Sequence, residues 1–351
     1  MNITFLVGNG FDISLGLHTS YANFYDWYFE RDSQSDCIRR FKEEISSNLT
    51  NWSDFEIGLG KYAEQFSKET ANEFLECYGD AVEAMGEYLN NEQNKLGENW
   101  INNIDVDRLK QGIRKFYQEV PSKEQEYIKN AIDTPSEDVV IHFITFNYTN
   151  TVDLIVKKLS KELLKAWSRT NTSYKMYVDP NVIHVNGTLN YYPLLGVDNA
   201  GQISNEDLKK NEEVYTSVIK SNAVVFLGEN WYQEAQKLIQ KSRFICVFGM
   251  SLGETDGRWW KQIIELLTEK DRRLILFIYT KNPPSKRNIL ERKRAVDDVV
   301  KTILKYGALT NDEKKSVKER ILPVFNTEKF LKVQEVPIIK EVVLAVTPSV
   351  K

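Results

Sequence analysis

Four nearly continuous apolar runs constrain the fold more than any other feature of this chain. They are rich in Val, Ile, Leu and Phe and cover residues 3–7, 139–146, 244–248 and 274–279. Between them, apolar residues recur every three or four positions, which is the spacing typical of helices. Apolar runs that alternate with helical patterns indicate a parallel sheet buried on both faces. The sequence therefore predicts an α/β fold with helices on both faces of a parallel sheet.

The stretch after the first strand is too long for a single crossover helix. It carries the helical spacing throughout, with Pro121 as its main break, and predicts five or six helices without a strand. We expect a helical insertion or subdomain at residues 20–135, an α/β nucleotide-binding domain at residues 1–19 and 136–335, and a tail at residues 336–351. Weaker strand candidates are residues 177–185, 194–197 and 224–226, and a β-leaning run at 341–346 has no assigned place.

Composition narrows the classes of protein to which the chain can belong. Its 351 residues carry 46 Lys plus Arg against 50 Asp plus Glu, so the net charge is −4 and nucleic acid is disfavoured as a partner. No apolar run approaches the length of a membrane span, so no membrane association is expected. The three cysteines are far apart and form no CxxC pair, which argues against a zinc or other metal site and against a disulfide framework. A reducing, cytoplasmic location is expected.

The first strand ends in a glycine-rich turn, Gly8-Asn9-Gly10-Phe11-Asp12. Two glycines allow backbone amides to approach a phosphate closely. The full dinucleotide fingerprint needs a third glycine, and position 13 is Ile, so a plain strand-to-helix turn stays an alternative. Because a second negative charge would repel a pyrophosphate, we expect Asp12 to turn toward a ribose or to cap the backbone.

Two further strand ends carry polar side chains. Asn147 follows the second strand closely and can present its amide to a ligand, or it can cap the next helix. His184 is the only one of the three histidines at a strand end followed by a glycine, which is Gly187. Histidine suits proton transfer near neutral pH, but a lone histidine is more often structural. The residues alone leave both interpretations open.

A fourth motif, Gly249-Met250-Ser251, follows the third strong strand and fits contacts to a sugar or a phosphate. Asp256, a little further on, could cap the helix that bears the two tryptophans at 259 and 260, which we expect in the core. In the predicted insertion, Asp54 and Glu56 are two residues apart and so do not share a helix face. They do not make a good acid/base pair, and a solvated edge is at least as good an interpretation of them.

In this order, the motifs resemble the abortive-infection AbiH family of phage defence. The likeness runs from about Phe5 to Trp260. It is carried by Gly8-Asn9-Gly10-Phe11-Asp12, Gly16-Leu17-His18-Thr19-Ser20-Tyr21, Trp52-Ser53-Asp54-Phe55-Glu56, Thr145-Phe146-Asn147-Tyr148-Thr149, His184 with Gly187, and Ser251-Leu252-Gly253-Glu254-Thr255-Asp256.

The same motifs are similar to those of sirtuin-like, NAD-consuming domains, which implies a Rossmann-like sheet. The resemblance implies that the loop from Gly8 to Asp12 cradles the NAD phosphates and that Asn147 orients the ribose or the attacking water. It also implies that His184 is the general base. The remaining NAD-binding positions that it implies are Thr145, Gly187, Gly249, Ser251 and Asp256.

Three departures make protein deacylation doubtful. Thr149 stands where sirtuin deacylases carry an Asp, a four-cysteine zinc module is lacking, and no Arg stands near Thr19 to Tyr25, soon after the first loop. The resemblance thus implies an antiphage effector that cleaves NAD to nicotinamide and ADP-ribose with water as acceptor. One alternative is a sensor that binds NAD or ADP-ribose without turnover. A nuclease toxin is a weaker alternative, because it would need a carboxylate cluster for a metal and no HxxE or HEXXH array suggests one. A phage-derived trigger and a homo-oligomer are left open as partners.

Overall fold

The computed structural model describes residues 1–97, 99–169 and 172–327, so the predicted tail and its β-leaning run lie outside the described residues. Seven strands form one sheet in the order β3-β4-β2-β1-β5-β6-β7, and all pair in parallel except β3 with β4. The α/β class with a mostly parallel sheet is confirmed. The strands are β1 (Asn2–Val7), β2 (Val139–Thr145), β3 (Lys165–Arg169), β4 (Thr172–His184), β5 (Ser242–Phe248), β6 (Arg273–Ile278) and β7 (Ile321–Phe325).

Helices fill most of the remaining described chain, and none of those described is both long enough and apolar enough to cross a membrane. The α-helices are α1 (Gly10–Ser14), α2 (Tyr21–Phe29), α3 (Asp36–Ser47), α4 (Phe55–Tyr62), α5 (Ala71–Asn94), α6 (Val106–Arg114), α7 (Ser122–Asp133), α8 (Thr151–Leu159), α9 (Glu206–Lys210), α10 (Glu212–Ser217), α11 (Lys220–Phe226), α12 (Trp231–Lys241), α13 (Gly257–Leu266), α14 (Ile289–Leu304) and α15 (Asn311–Lys318). Short 3-10 turns lie at Ala63–Gln65, Trp100–Asn103, Ala200–Gln202 and Glu254–Asp256.

The four strong apolar runs are the strands β1, β2, β5 and β6, as predicted, and residues 177–185 lie largely within β4. Two weaker strand predictions are wrong. Residues 224–226 end helix α11, where Val224 is buried while Val225 and Phe226 are exposed, so the run is the edge of a helix face. Residues 194–197 lie in a loop in which Val197 makes only an isolated bridge to Ile219.

Two strands were not predicted. In β3 and the first half of β4, polar residues interrupt the apolar pattern, because this antiparallel pair forms one edge of the sheet. In β7, Pro323 breaks the strand pattern, and proline is tolerated there because β7 is the other edge.

Each face of the sheet is covered by helices, which explains why its strands are apolar throughout. One face packs Phe5, Ile141 and Phe143 against α6, α7 and α8. The opposite face packs Leu6 and Val247 against α12, α13 and α14. A strand with both faces covered buries consecutive side chains, so its sequence reads as a continuous apolar run.

Helices α2–α5 form a second core that contains no residue of the seven strands. They pack against the segment 195–219, through residues such as Val197 and Val218. Helices α6 and α7, which the sequence placed in the insertion, pack instead on the sheet. The buried clusters therefore group these helices differently from the predicted boundary at residue 135, and the division into domains stays a prediction.

The carboxyl ends of the central strands are level with one another. Val7 is in register with Thr145 on one side and with Phe248 on the other, and Thr145 is in register with His184. From β1 the chain first builds the sheet toward β4 and then returns to continue from β5 on the other side. The loops after β1 and β5 therefore diverge at this point, which is where open parallel sheets bind ligands.

Candidate functional site

A cavity of about 430 Å³ lies at the carboxyl ends of β1, β2 and β5. We call its two sides the sheet wall, formed by residues of 8–12, 146–149, 186 and 249–256, and the helical wall, formed by residues of 19–89 together with Lys220. A separate cavity of about 540 Å³ lies at the amino ends of the strands, beside Met1, Tyr127 and Arg243, and none of the predicted site residues lines it.

The glycines of the sheet wall let two loops pack against each other. A Cβ on Gly8 would lie 2.7 Å from the Gly249 carbonyl oxygen, and one on Gly10 would lie 2.7 Å from the Gly249 Cα. Gly249 has a φ of +72°, and a Cβ there would lie 2.6 Å from the Phe11 nitrogen. The turn after β1 and the turn after β5 thus interlock in a way that only glycine permits.

The same interlock engages the amides that the resemblance assigns to the NAD phosphates. The Gly8 N–H donates to the Phe248 carbonyl at 2.9 Å, and the Gly10 N–H donates to the Gly249 carbonyl at 2.8 Å. The Phe11 N–H donates to the Gly8 carbonyl at 2.9 Å. The first two donors hold β1 to β5 and the third closes the turn after β1, so none of the three is free to cradle a phosphate.

Asn147 is the most unusual side chain of the sheet wall. It is 5% exposed, and among the described residues neither its Nδ2 nor its Oδ1 has a hydrogen-bond partner. Its backbone N–H donates to Thr145 Oγ1 at 3.1 Å, which fixes the loop directly after β2. It does not cap α8, whose N-cap position is Asn150. Buried amides are normally bonded, so the two polar atoms of this one are available to a ligand in the cavity that it lines.

Asp12 lies beside Asn147 and is almost fully buried. Thr149 Oγ1 donates to its Oδ2 at 2.7 Å, and Thr151 Oγ1 donates to its Oδ1 at 2.5 Å. The predicted backbone cap is therefore wrong, because the carboxylate accepts from side-chain hydroxyls. Burial raises the pKa of Asp12 to about 6, although the hydroxyls of Thr151 and Thr149, the Asn147 amide and the charge of His184 all oppose the rise. The amide is thus near enough to act on Asp12 without forming a well-aligned bond.

His184 is placed behind the cavity and does not line it. Its Nε2 is 2.8 Å from Asp153 Oδ2, and its Nδ1 is 3.2 Å from the Asn147 carbonyl oxygen. Gly187 makes a turn with a φ of +73°, where a Cβ would lie 2.0 Å from the Tyr192 carbonyl oxygen. Both residues thus have structural roles that explain their presence, and the role of His184 as a base stays a prediction.

The structure brings about half of the predicted site residues to the cavity. The lining residues are Gly8, Asn9, Asp12, Asn147, Gly249, Ser251 and Asp256. The residues that do not line it are Gly10, Phe11, Thr145, His184 and Gly187. The side-chain amide of Asn9 already has hydrogen-bond partners, because its Nδ2 donates to the Thr19 carbonyl and its Oδ1 accepts from the Thr19 hydroxyl.

The helical wall contains a buried ion pair that the sequence did not reveal. Lys220 Nζ lies 2.5 Å from Glu56 Oε1, and both side chains are 6% exposed. Burial raises the pKa of Glu56, and Lys220 opposes that rise. Burial alone would lower the pKa of Lys220, but Glu56 more than compensates and the pKa lies above its usual value. The interpretation of Glu56 as a solvated edge is wrong. The only available signal was its place in the Trp52–Glu56 motif.

Two more carboxylates complete the cavity. Asp54 caps α4 by accepting from the Glu56 and Ile57 amides, and its Oδ2 also accepts from Thr255 Oγ1 at 3.3 Å. Asp256 occupies the N-cap position of α13 without a side-chain capping bond. Desolvation raises the pKa of Asp256 to about 6, although part of its surface faces the cavity. Lys220 opposes this rise, while Asp54 and Asp198 add to it. The Trp259 and Trp260 side chains are buried in the core, as expected.

The cysteines and the potential metal ligands were the remaining candidates for chemistry. The three cysteines, Cys37, Cys77 and Cys246, are buried free thiols. Within residues 1–97, 99–169 and 172–327, no group of three or more His, Cys, Asp or Glu side chains has an arrangement that could hold a metal ion.

Comparison with known families covers most of the chain. The family model for "Bacteriophage abortive infection AbiH" matches residues 4–279. This range includes most of β1, all of β2 to β6 and every residue that lines the cavity. No curated protein matches the chain. Since the match takes in well over half of the sequence, the chain belongs to the bacteriophage abortive infection AbiH family.

Proposed function

We propose that this protein is an antiphage effector that cleaves NAD to nicotinamide and ADP-ribose, with water as the acceptor, in the cavity at the ends of β1, β2 and β5. Family membership points to antiphage abortive infection. The six parallel strands, taken in chain order, are arranged 3-2-1-4-5-6, which supports a Rossmann-like, nucleotide-binding assignment. The proposed reaction, cleavage of NAD, rests on the resemblance to sirtuin-like domains.

The unpartnered amide of Asn147 is the observation that carries the proposal. A buried amide without hydrogen bonds costs about 1–3 kcal/mol, so a sequence keeps it where a ligand repays the cost. Its Nδ2 can donate to, and its Oδ1 can accept from, a ribose hydroxyl or a water molecule. This pair of contacts is what the resemblance to sirtuin-like domains assigns to Asn147.

The carboxylates around Asn147 suit the chemistry of this bond cleavage. The nicotinamide ring of NAD is cationic and leaves as a neutral molecule when the glycosidic bond takes its electron pair, so no acid is needed. The ribose then develops the positive charge of an oxocarbenium-like transition state. In the proposed reaction Asp12 favours that charge and accepts the proton of a water molecule whose oxygen attacks the anomeric carbon. A carboxylate with a pKa near 6 is ionised at neutral pH and can still hold a proton.

His184 enters this proposal as a positioning residue. It spans the 2.8 Å contact to Asp153 and the 3.2 Å contact to the Asn147 carbonyl, and so it fixes the loop that presents the Asn147 amide. The role as base, which the sequence assigned to His184, passes to Asp12 because Asp12 lines the cavity and His184 does not.

The setting of the reaction belongs to the proposal as well. NAD loss in the cytoplasm of an infected cell would stop phage replication together with the host. A phage-derived molecule is the proposed trigger, and self-assembly into a homo-oligomer is the proposed active form. Purified protein should therefore be assayed alone and with an infected-cell extract.

The experiment follows nicotinamide and ADP-ribose by chromatography after incubation with NAD. We expect cleavage by the wild type and a loss of at least 100-fold in Asn147→Ala. Asn150→Ala is the matched control, since it removes an exposed amide three residues away that makes no capping bond. Equal activity of Asn147→Ala and the wild type would contradict the proposed site. Binding of NAD without turnover under every condition would instead support the nucleotide-sensor alternative.

A further inference from the structure

The cavity is unusually acidic for a site that must hold a dinucleotide. Four carboxylates line it, from Asp12, Asp54, Glu56 and Asp256, and Lys220 is the only cationic side chain among its lining residues. Lys220 is already paired with Glu56 at 2.5 Å. Three carboxylates are therefore left without a cation. This distribution repels a pyrophosphate and attracts a positively charged group.

Three amides of the glycine turn offer no compensating anion site. The Gly8 and Gly10 amides donate to the Phe248 and Gly249 carbonyls, which joins β1 to β5, and the Phe11 amide donates to the Gly8 carbonyl within the turn. An anion there would have to break the interlock of the two turns. Charge and backbone geometry thus agree that phosphate groups are not held inside this space.

Asn147 points independently to a ligand in the same space. Its amide is nine-tenths buried, lines the cavity and lacks a partner on both polar atoms. The acidic groups alone would not define a site, but together with this amide they define one that needs a hydrogen-bonding ligand with positive charge.

We propose that the cavity admits only the cationic half of the dinucleotide, so that its substrates are positively charged N-ribosides and the pyrophosphate lies outside the carboxylate-lined space. This inference rests on the proposed function and names its substrate class. It implies that nicotinamide riboside, which has the cationic ring and the ribose but no phosphate, is cleaved as efficiently as NAD.

The test compares three substrates of the full-length protein. We expect kcat/KM for nicotinamide riboside to equal or exceed that for NAD. For nicotinic acid riboside, whose carboxylate cancels the ring charge, we expect kcat/KM to be at least tenfold lower. Asp54→Asn and Asp256→Asn should each lower kcat/KM for nicotinamide riboside by at least fivefold. Asn caps a helix as well as Asp does, so α4 keeps its end, and α13 has no side-chain capping bond to lose. Asp312→Asn, at an exposed position, is the control.

The outcomes separate this inference from the proposed function. Cleavage of NAD with less than one-hundredth of that rate on nicotinamide riboside would overturn the inference and leave the proposed function standing. If neither is cleaved, calorimetry with 1-methylnicotinamide and neutral nicotinamide decides. Tenfold tighter binding of the cation, lost in Asp256→Asn, would support the charge selectivity without the reaction. Equal or undetectable binding of both would overturn it.

Discussion

The two walls of the cavity differ in whether their buried polar groups have partners. The helical wall buries charges, and it pairs Lys220 with Glu56 at 2.5 Å so that neither is left alone. The sheet wall buries the Asn147 amide with no partner, beside Asp12, whose pKa burial has raised. The buried ion pair of the helical wall stabilises the fold, whereas the unpartnered amide of the sheet wall is available to a ligand. Substitutions of Lys220 and Asn147 should therefore separate the two, with loss of stability in the first and loss of function in the second.

The largest expected effect lies on the helical wall. Lys220→Ala leaves the Glu56 carboxylate buried and unpaired, which should lower the free energy of unfolding by about 3–5 kcal/mol. Urea denaturation measures this loss. Lys315→Ala breaks an exposed pair with Asp312 and should cost less than about 1 kcal/mol. Equal costs for the two variants would show that the Lys220–Glu56 pair does not hold the wall. Replacing both partners with apolar residues, as in Lys220→Met with Glu56→Leu, should recover most of the loss.

A smaller effect should appear as a pH dependence on the sheet wall. The pKa of Asp12 is raised to about 6 in the folded protein, from about 3.9 in an unfolded chain. The folded state therefore binds this proton more tightly, and the stability it gives is complete below about pH 4 and is lost as the pH rises through 6. Relative to Asp12→Asn, which cannot titrate, the wild type should lose about 2.4 kcal/mol of unfolding free energy between pH 4 and 7.5.

The pH comparison isolates Asp12, because every other group is common to both proteins. Asp256, whose pKa is also raised, contributes equally to both and cancels. The groups that act on Asp12 are the hydroxyls of Thr149 and Thr151, the Asn147 amide and His184. A constant difference in stability across this range would mean that the pKa of Asp12 is not raised.

The interlock of the two glycine turns can be measured with a matched pair of glycines. Gly249 and Gly228 have φ values of +72° and +71°, but a Cβ on Gly228 would meet nothing within 4 Å. Gly228→Ala should lower the free energy of unfolding by about 1–2 kcal/mol, because alanine is strained in the left-handed conformation. Gly249→Ala should cost about 1–3 kcal/mol more, because its Cβ would enter the turn after β1. Thermal denaturation of both variants measures this additional destabilisation. Equal destabilisation by the two substitutions would show that the two turns are not packed as tightly as we describe.

The sheet wall could be predicted from the sequence because local patterns specify it. Continuous apolar runs mark β1, β2 and β5, and the carboxyl ends of parallel strands meet at one edge. Asn147 follows such a run directly, so its place in the cavity follows from its position in the chain. Its lack of partners could not be predicted, since that depends on which groups the neighbouring loops turn toward it.

The helical wall could not be predicted because long-range packing creates it. Glu56 and Lys220 are far apart in the sequence, and nothing in either segment indicates the other. Helix α11 could not be predicted for the same reason. Its Val224-Val225-Phe226 run favours a strand, and only the packing of its buried face shows that it is a helix. Strand β7 was missed because Pro323 breaks the strand pattern, and only its place at the sheet edge makes that proline acceptable.

The Asn147 amide gives the most direct test of the difference between the walls, and its expected effect on stability is the smallest. Asn147→Ala removes a buried polar group that makes no hydrogen bond, so the free energy of unfolding should stay the same or rise by up to about 1 kcal/mol. Asn186→Ala is the matched control. That amide is equally buried but donates to the Phe146 carbonyl at 3.0 Å, and its loss should cost about 1–3 kcal/mol.

The deciding measurement is the unfolding free energy and the NAD cleavage rate of Asn147→Ala, taken on the same preparation as the wild type. The predicted result is a protein at least as stable as the wild type with cleavage lowered at least 100-fold. A variant that is destabilised as much as Asn186→Ala would show that the amide has a structural role. A stable variant with undiminished cleavage would contradict the claim that this amide is kept for the ligand.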